Sequence, residues 1–397
     1  MSRKIILLIC IVFFISGCNE KRNKDIEKEE TTGIQDELIV GNGLERKGNF
    51  YVVFINPGIS DPNNPTGAFW NNVSRFMQAS AKDLNIDLEI LYAERDHIRM
   101  YNLAKAVCNR ENKPDYLIVV NEKSAALKMI IEANDTEIKT FLIMNNLTDE
   151  QMKKSGGPRE NLEHWIGTLI PNNVDAGYKI AISLIEKARI KNIEPLNIVA
   201  INGSRETPAS QEREKGLKLA LAENPDVELK QILYGEWNQE LSYSMMKGLL
   251  NRYPDIKMIW AANDPMALGA IKALKENALK PGEDVFVSGL NWSNEAIENI
   301  ENGEMCASVG GHFMVPGWSL VILYDYHNGI DFKDTDTLEL QIDIFDVITP
   351  SNASTYSTYL ENKDWDKIDF KMFSKSYNHK VLDYDFSLDK IFNLFPL

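Results

Sequence analysis

The chain has 397 residues, a formal net charge of −15 at pH 7 and a hydrophobic content of 44%. This length is enough for two domains of ordinary size, and the apolar content is typical of a packed globular protein. The acidic balance excludes the basic surface that a nucleic-acid-binding protein needs, so we expect no nucleic-acid partner.

The first eighteen residues have the pattern of an export signal. The basic segment MSRK precedes the apolar run IILLICIVFFIS, which is too short to span a membrane as a mature helix. Small residues then stand directly before Cys18, which resembles a bacterial lipoprotein signal. The resemblance implies that residues 1–17 are removed and that Cys18 carries lipid; the alternatives are an uncleaved anchor or a chance match. Residues 18–47 are charged and polar, and we expect a tether there.

From residue 50 onward, apolar runs alternate with segments of helical periodicity. The predicted strands of the first half are FYVVFI, LEILY, YLIVV and TFLIMN, with helices around 97–111 and 122–134 among them. LNIVAI, LKQILY, KMIWAA and VFVSGL repeat the rhythm in the second half. Strands that are apolar on both faces belong in parallel sheets covered by helices. The predicted fold is therefore α/β, with two doubly wound parallel-sheet lobes.

The segment IWAANDPMALGAIKALKEN, residues 259–277, joins a predicted strand to a predicted helix. Asp264 is expected to be the N-cap of that helix, and Pro265 suits its first turn. Asn263 has no such local explanation. It lies at the carboxyl end of the strand, where open α/β sheets bind ligands.

Two further features of the sequence are informative. Cys108 and Cys306 are far apart in the chain, so we expect two buried free thiols in the folded body. There is no CxxC pair or other metal-ligand spacing, and we expect neither a metal nor a cofactor. Residues 350–397 contain ten aromatic residues, which is too apolar for a free tail, so we expect this C-terminal extension to pack on the body.

Several segments, taken in order, resemble type I periplasmic sugar-binding proteins such as the ribose-binding proteins. They are GAFW, IGTLIPNNVDAGYKIAISLI, INGSRETPASQEREKGLKLAL, VSGLNWSNEAIENIENGEM and, as the most specific, WAANDPMALGAIKAL. The resemblance covers residues 48–345 and implies two lobes joined by three chain crossings, with a ligand in the cleft between them. The implied N-terminal lobe is 48–169 plus 312–341. The implied C-terminal lobe is 170–311 plus 342–349.

The resemblance also implies which residues bind the ligand. Phe69 and Trp70 match aromatic residues that stack on a sugar ring; the alternative is that they are core residues of the first helix. Asn145 and Asn146 end the fourth strand, where the family usually has an aspartate. Arg213 matches an arginine that reaches the ring oxygen and hydroxyls; its alternative role is an ion pair on a helix surface.

The remaining residues that the resemblance implies for ligand binding come from the second lobe and the hinge. Asn263 matches the family's binding asparagine. Asn291 stands in place of a second family aspartate, with Trp292 beside it, but Asn291 could also simply end the strand. His312 lies near the second crossing, and a structural role is the alternative there. Because Asn145 and Asn291 replace carboxylates, the usual monosaccharides are in doubt, and a modified sugar, a sugar-derived signal or an anion remains open.

The function that the resemblance implies is that of a lipid-anchored extracytoplasmic solute-binding protein. It would capture a carbohydrate-like small molecule and deliver it to the membrane permease of an ABC transporter, working in the periplasm as a monomer attached through its N-terminal lipid. The alternative is a sensing module that docks on a membrane signalling receptor without transport. An enzyme is not expected, because GxSxG, HExxH and phosphate-loop patterns are absent. A transcription repressor is not expected either, because an export signal stands where a helix-turn-helix would be.

Overall fold

The computed structural model describes residues 41–334, 337–361 and 365–394, and these belong to one compact unit. The predicted signal peptide, Cys18 and most of the predicted tether lie outside the described residues. In the part of the chain that is described, no helix combines the length and apolar character needed to cross a bilayer.

Twelve strands form in the described residues. In chain order they are β1 (Tyr51–Asn56), β2 (Asp87–Tyr92), β3 (Tyr116–Val120), β4 (Lys139–Ile143), β5 (Trp165–Pro171), β6 (Asn197–Asn202), β7 (Glu228–Tyr234), β8 (Met258–Ala261), β9 (Phe286–Leu290), β10 (Ala307–Gly310), β11 (Glu339–Ile342) and β12 (Asp346–Ile348).

Helices follow most of these strands. They are α1 (Phe69–Asp83), α2 (His97–Cys108), α3 (Ala126–Asn134), α4 (Asp149–Ser155), α5 (Asn173–Ile190), α6 (Pro208–Glu223), α7 (Gln239–Arg252), α8 (Asp264–Glu276), α9 (Asn294–Glu301), α10 (Val315–His327), α11 (Ala353–Glu361) and α12 (Leu388–Leu394).

The strands form two six-stranded sheets. The first has the order β11-β5-β4-β3-β1-β2 with every pair parallel. The second has the order β12-β10-β9-β8-β6-β7. Strands such as β1, β3, β5 and β6 are buried along their whole length, because helices cover both faces of each sheet. The predicted α/β fold with two doubly wound lobes is confirmed.

The second sheet differs from the all-parallel prediction at one edge. β12 pairs antiparallel with β10. The chain leaves this sheet at the carboxyl end of β10 and, after passing through the other lobe, re-enters at that same end as β12, so β12 runs in the opposite direction. A parallel pair would have required the chain to re-enter at the opposite end of the sheet.

The chain passes between the sheets three times. After β5 it enters α5, which packs against β8, β9 and β10; after β10 it enters α10, which packs against α1; and β11 leads into β12. These passages form the hinge between two lobes, each built around one sheet.

The structure moves the start of one predicted helix and places both predicted free thiols in the interior. The helix expected around 122–134 begins only at Ala126, because Lys123 and Ser124 have φ angles of 46° and 60° and cannot continue a right-handed helix. Cys108 and Cys306 are buried and unpaired, as predicted.

The C-terminal extension contacts both lobes. α11 packs on α9, and the Tyr356 ring meets Trp292 edge to face at 5.0 Å. In the other lobe, the rings of Phe373 and Phe386 lie 4.8 Å from the fully buried ring of Trp318 on α10. The aromatic residues of this segment therefore complete apolar surfaces that the two sheets alone leave open.

Candidate functional site

A cavity lies where the carboxyl ends of the strands of both sheets meet. Its empty volume is about 570 Å³, which includes space open to solvent. The lining residues follow the strands β1 to β10 in turn, as expected for a ligand site of open α/β sheets. They are Thr66, Phe69, Trp70, Arg95, Glu122, Met144, Asn145, Asn173, Thr207, Ala209, Arg213, Trp237, Asn263, Asn291 and His312.

The structure brings seven of the nine predicted residues to this cavity. They are Phe69, Trp70, Asn145, Arg213, Asn263, Asn291 and His312. The rings of Phe69 and Trp70 meet edge to face at 5.2 Å on the side of the first lobe. Arg213, Asn263 and Asn291 come from the second lobe.

Asn146 and Trp292 do not line the cavity, which corrects the expectation for both. The Asn146 amide donates to Glu339 Oε2 at 3.0 Å and its oxygen accepts from the Leu147 N–H at 2.9 Å. Trp292 is 3% exposed, and its indole Nε1 donates to the Ser308 carbonyl at 3.0 Å. Both residues follow a cavity-lining asparagine directly, and successive side chains at a strand end point in different directions.

Arg213 is held in the cavity wall by backbone and amide oxygens. Its Nε donates to Asn173 Oδ1 at 3.1 Å and its Nη1 to the Ala262 carbonyl at 2.9 Å. The guanidinium lies 5.5 Å from the ring of Trp237 and is 5% exposed. Burial lowers the pKa of Arg213 to about 10, and the neighbouring Glu212 carboxylate acts in the opposite direction. Arg213 is therefore still charged at neutral pH.

His312 lies at the second passage between the lobes. Its ring stacks on Phe69 at 4.6 Å and lies 4.9 Å from Phe345. Burial, and then the nearby Arg213 charge, hold the pKa of His312 well below its ordinary value, so the ring is neutral at physiological pH.

The cavity wall also contains an ion pair that was not predicted from the sequence. Arg95 Nη2 lies 2.7 Å from Glu122 Oε1, and the Glu122 side chain is almost fully buried. Arg95 follows β2 and Glu122 follows β3, so the position of each at a strand end was a usable signal. Trp237 also lines the cavity and was not predicted, although it follows β7 and its position gave the same signal.

The N-cap of α8 is Asn263, which corrects the assignment of that role to Asp264. Asn263 Oδ1 accepts from the Met266 N–H at 3.0 Å, and its Nδ2 donates to the Trp237 carbonyl at 3.2 Å. Asn263 thus joins the helix start to the cavity wall, and its side chain has a structural role as well as a place in the lining.

Asp264 lies instead behind the site as a fully buried carboxylate. It accepts from the Ser293 N–H at 2.9 Å and from the Ser308 hydroxyl at 2.8 Å. Burial raises the pKa of Asp264 to about 6, although these hydrogen bonds favour the charged form.

Because its pKa is raised in the folded state, we expect Asp264 to stabilise the folded protein more at acidic pH than at neutral pH. The folded state binds the proton more tightly than the unfolded chain, so stability from this group rises as the pH falls from about 6 toward the ordinary aspartate pKa. The full effect is about 3 kcal/mol. Urea unfolding of the wild type and Asp264→Asn between pH 4 and pH 7 measures it. The wild type should gain stability relative to the variant as the pH falls, and a constant difference would contradict the assignment.

Comparisons with known proteins agree with this architecture. The family described as "Periplasmic binding protein domain" matches residues 58–321. A crystal structure of a periplasmic sugar-binding protein from Pseudomonas fluorescens is 36% identical, with a TM-score of 0.77 over 86% of this chain and 99% of that chain.

Two characterised relatives come from Escherichia coli (strain K12). The galactofuranose-binding protein is 27% identical over 45% of this chain, a match that spans about half (53%) of the relative's length. The D-allose-binding periplasmic protein is 25% identical over 61% of this chain and 74% of its own length. These relatives are binding proteins and not enzymes, and this confirms the prediction that the chain is a non-catalytic protein. The chain therefore belongs to the periplasmic binding protein family and has its type I fold.

Proposed function

We propose that the protein captures a sugar or sugar-like small molecule in the cavity between its lobes and delivers it to an ABC transporter outside the cytoplasm. The observation that carries this proposal is the composition of the cavity. Aromatic rings of Phe69, Trp70 and Trp237 offer flat faces for the C–H groups of a sugar ring. Asn145 and Arg213 offer hydrogen-bonding groups beside them.

Contacts between the lobes support capture by closure. The Gln239 N–H at the start of α7 donates to the Pro65 carbonyl of the first lobe at 3.0 Å. Pro65 directly precedes Thr66 and Gln239 is two residues from Trp237, and both Thr66 and Trp237 line the cavity. A ligand that touches both lobes stabilises the closed arrangement through its added contacts, and a transporter can then distinguish it from the empty open form.

Two of the relatives add the class of ligand. Their names state that they bind galactofuranose and D-allose, and the relative from Pseudomonas fluorescens is a sugar-binding protein. Attachment to the membrane through lipid on Cys18 belongs to the same proposal and is supported by the signal-like sequence before it. Mass spectrometry of the membrane-extracted protein tests it, because an N-terminal peptide that begins at Cys18 should carry the added lipid.

We expect a cognate sugar to raise the melting temperature. At about 100 times the dissociation constant, a ligand adds roughly 2.7 kcal/mol to the free energy of unfolding. Trp70→Ala should weaken binding at least tenfold, because it removes an aromatic wall of the cavity. Tyr377→Ala is the matched control, since Tyr377 is 58% exposed and lies outside the cavity lining.

The measurement is thermal unfolding against a panel of neutral and charged monosaccharides, followed by calorimetric titration of those that act. A panel without any stabilising member would refute the proposed ligand class. Equal losses in Trp70→Ala and Tyr377→Ala would refute the location of the site.

A further inference from the structure

The charged groups of the cavity do not balance. The lining carries two guanidinium groups, of Arg95 and Arg213, and one carboxylate, of Glu122. Glu122 is paired with Arg95. Among the described residues, Arg213 makes no ion pair with a carboxylate, and its hydrogen bonds run to the neutral oxygens of Asn173 and Ala262. The neighbouring Glu212 carboxylate reaches the guanidinium only through the Asn173 amide, so no carboxylate binds Arg213 directly. A negative group in the cavity would gain a charge-assisted hydrogen bond there.

Next to Arg213, hydrogen-bond donors outnumber acceptors. Arg213 Nη2 lies 3.5 Å from His312 Nε2. A guanidinium can only donate, so His312 Nε2 accepts, and the proton of the neutral ring is then on Nδ1. His312 is 1% exposed, and in the described part of the chain its Nδ1 has no hydrogen-bond partner. The cluster therefore presents buried donors without acceptors.

We propose that the ligand carries a carboxylate that binds to Arg213 and His312, and that it is a sugar acid of monosaccharide size rather than a neutral sugar. This inference rests on the proposed function. A sugar hydroxyl brings a proton that needs an acceptor of its own, whereas a carboxylate only accepts and also places a negative charge directly on the guanidinium.

The other end of the cavity suits the hydroxyl groups of such a ligand. Asn145 and Glu122 follow strands of the first lobe, across the cavity from Arg213 on α6 of the second lobe. An amide donates and accepts, and the Glu122 carboxylate accepts, so both can bind hydroxyls. Asn145 and Asn291 add no negative charge that would repel a carboxylate. The ligand would thus be held by its acid group on one lobe and by its hydroxyls on the other.

The test compares each neutral sugar with the acid that differs from it only at one carbon. Calorimetric titration of the full-length chain in detergent uses galactose with galacturonate and glucose with glucuronate, because both members of each pair keep the sugar ring. We expect the acid of at least one pair to bind at least tenfold more tightly than its neutral partner. Arg213→Gln, which keeps an amide near Asn173, should remove that preference. Arg205→Gln is the control, because Arg205 is exposed and outside the lining.

The outcomes separate the two proposals. Equal or tighter binding of the neutral members overturns the carboxylate inference and leaves the proposed function standing. Absence of binding by every member refutes the proposed function, and the inference with it. If Arg213→Gln fails to fold, as judged by its melting curve, the comparison of the pairs on the wild-type chain still decides.

Discussion

Replacing Asp325 with alanine should lower the free energy of unfolding by about 3–5 kcal/mol, since buried donors would lose their acceptor. Asp325 lies on α10, is fully buried, and accepts five hydrogen bonds from the C-terminal extension. The donors are the Ser374 hydroxyl at 2.5 Å, the Lys375 N–H at 2.7 Å, the Ser376 N–H at 3.0 Å, the Ser376 hydroxyl at 2.6 Å and the Tyr384 hydroxyl at 2.9 Å.

Urea unfolding at neutral pH, followed by circular dichroism, measures the effect. Asp366→Ala is the matched control within the same extension. Asp366 is half exposed and pairs with Lys82 on the surface, so its loss should change stability by no more than about 0.5 kcal/mol. A loss of less than about 1 kcal/mol in Asp325→Ala would show that the extension is not held through this carboxylate.

The same contacts indicate why the extension is part of the folded body. The Phe386 ring stacks on Trp318 at 4.8 Å with an angle of 11° between their planes, next to the Asp325 cluster. Leu388 lies beside Gly311 at the second passage between the lobes. The extension therefore combines apolar burial with a buried polar anchor, and a chain without it would expose Trp318 to water.

The fold was predictable from the sequence because its main signal is strong. Runs such as YLIVV are apolar on both faces, which is typical of strands in a parallel sheet covered by helices. Two features lacked such a signal. The direction of β12 depends on where the chain returns to the second sheet. The late start of α3 depends on the left-handed backbone at Lys123 and Ser124, which neither side chain announces.

The cavity was less predictable because it depends on the direction of single side chains. At Asn145-Asn146 and Asn291-Trp292 the sequence offers two neighbouring polar or aromatic candidates, and the strand end directs only the first of each pair to the cavity. Asn291 and Trp292 also have φ angles of 145° and 56°, and this turn separates their side chains. The one-residue exchange of roles between Asn263 and Asp264 has a similar origin, since both residue types make good N-caps.

Arg95 and Glu122 line the cavity, but the family resemblance did not predict either residue. Both follow strands, at positions where any open α/β sheet can bind a ligand, but neither belongs to the motifs that carry the resemblance. Their mutual ion pair accounts for the only carboxylate in the described lining. The charge of the cavity lining could therefore be judged only after the structure had placed these two residues.

Gly177→Ala should cost about 3 kcal/mol of stability and weaken ligand binding at least tenfold. A Cβ on Gly177 of α5 would lie 1.9 Å from the Arg213 carbonyl oxygen, and a Cβ on Gly216 of α6 would lie 2.0 Å from the Val174 carbonyl oxygen. The two helices thus meet backbone to backbone, and a change of rotamer cannot relieve the clash. The Trp260 indole also donates to the Gly177 carbonyl at 3.0 Å, which fixes α5 against the second sheet.

Gly248→Ala is the matched control for this substitution. Gly248 lies within α7 and a Cβ there would meet nothing within 4 Å, so alanine should stabilise the helix by about 0.5–1 kcal/mol. Thermal unfolding and calorimetric titration of both variants make the comparison, and equal effects would mean that α5 and α6 are not in close contact. In Gly177→Ala the melting temperature and the ligand affinity should both fall. The reason is that α6, which must move away from α5, carries Arg213 into the cavity.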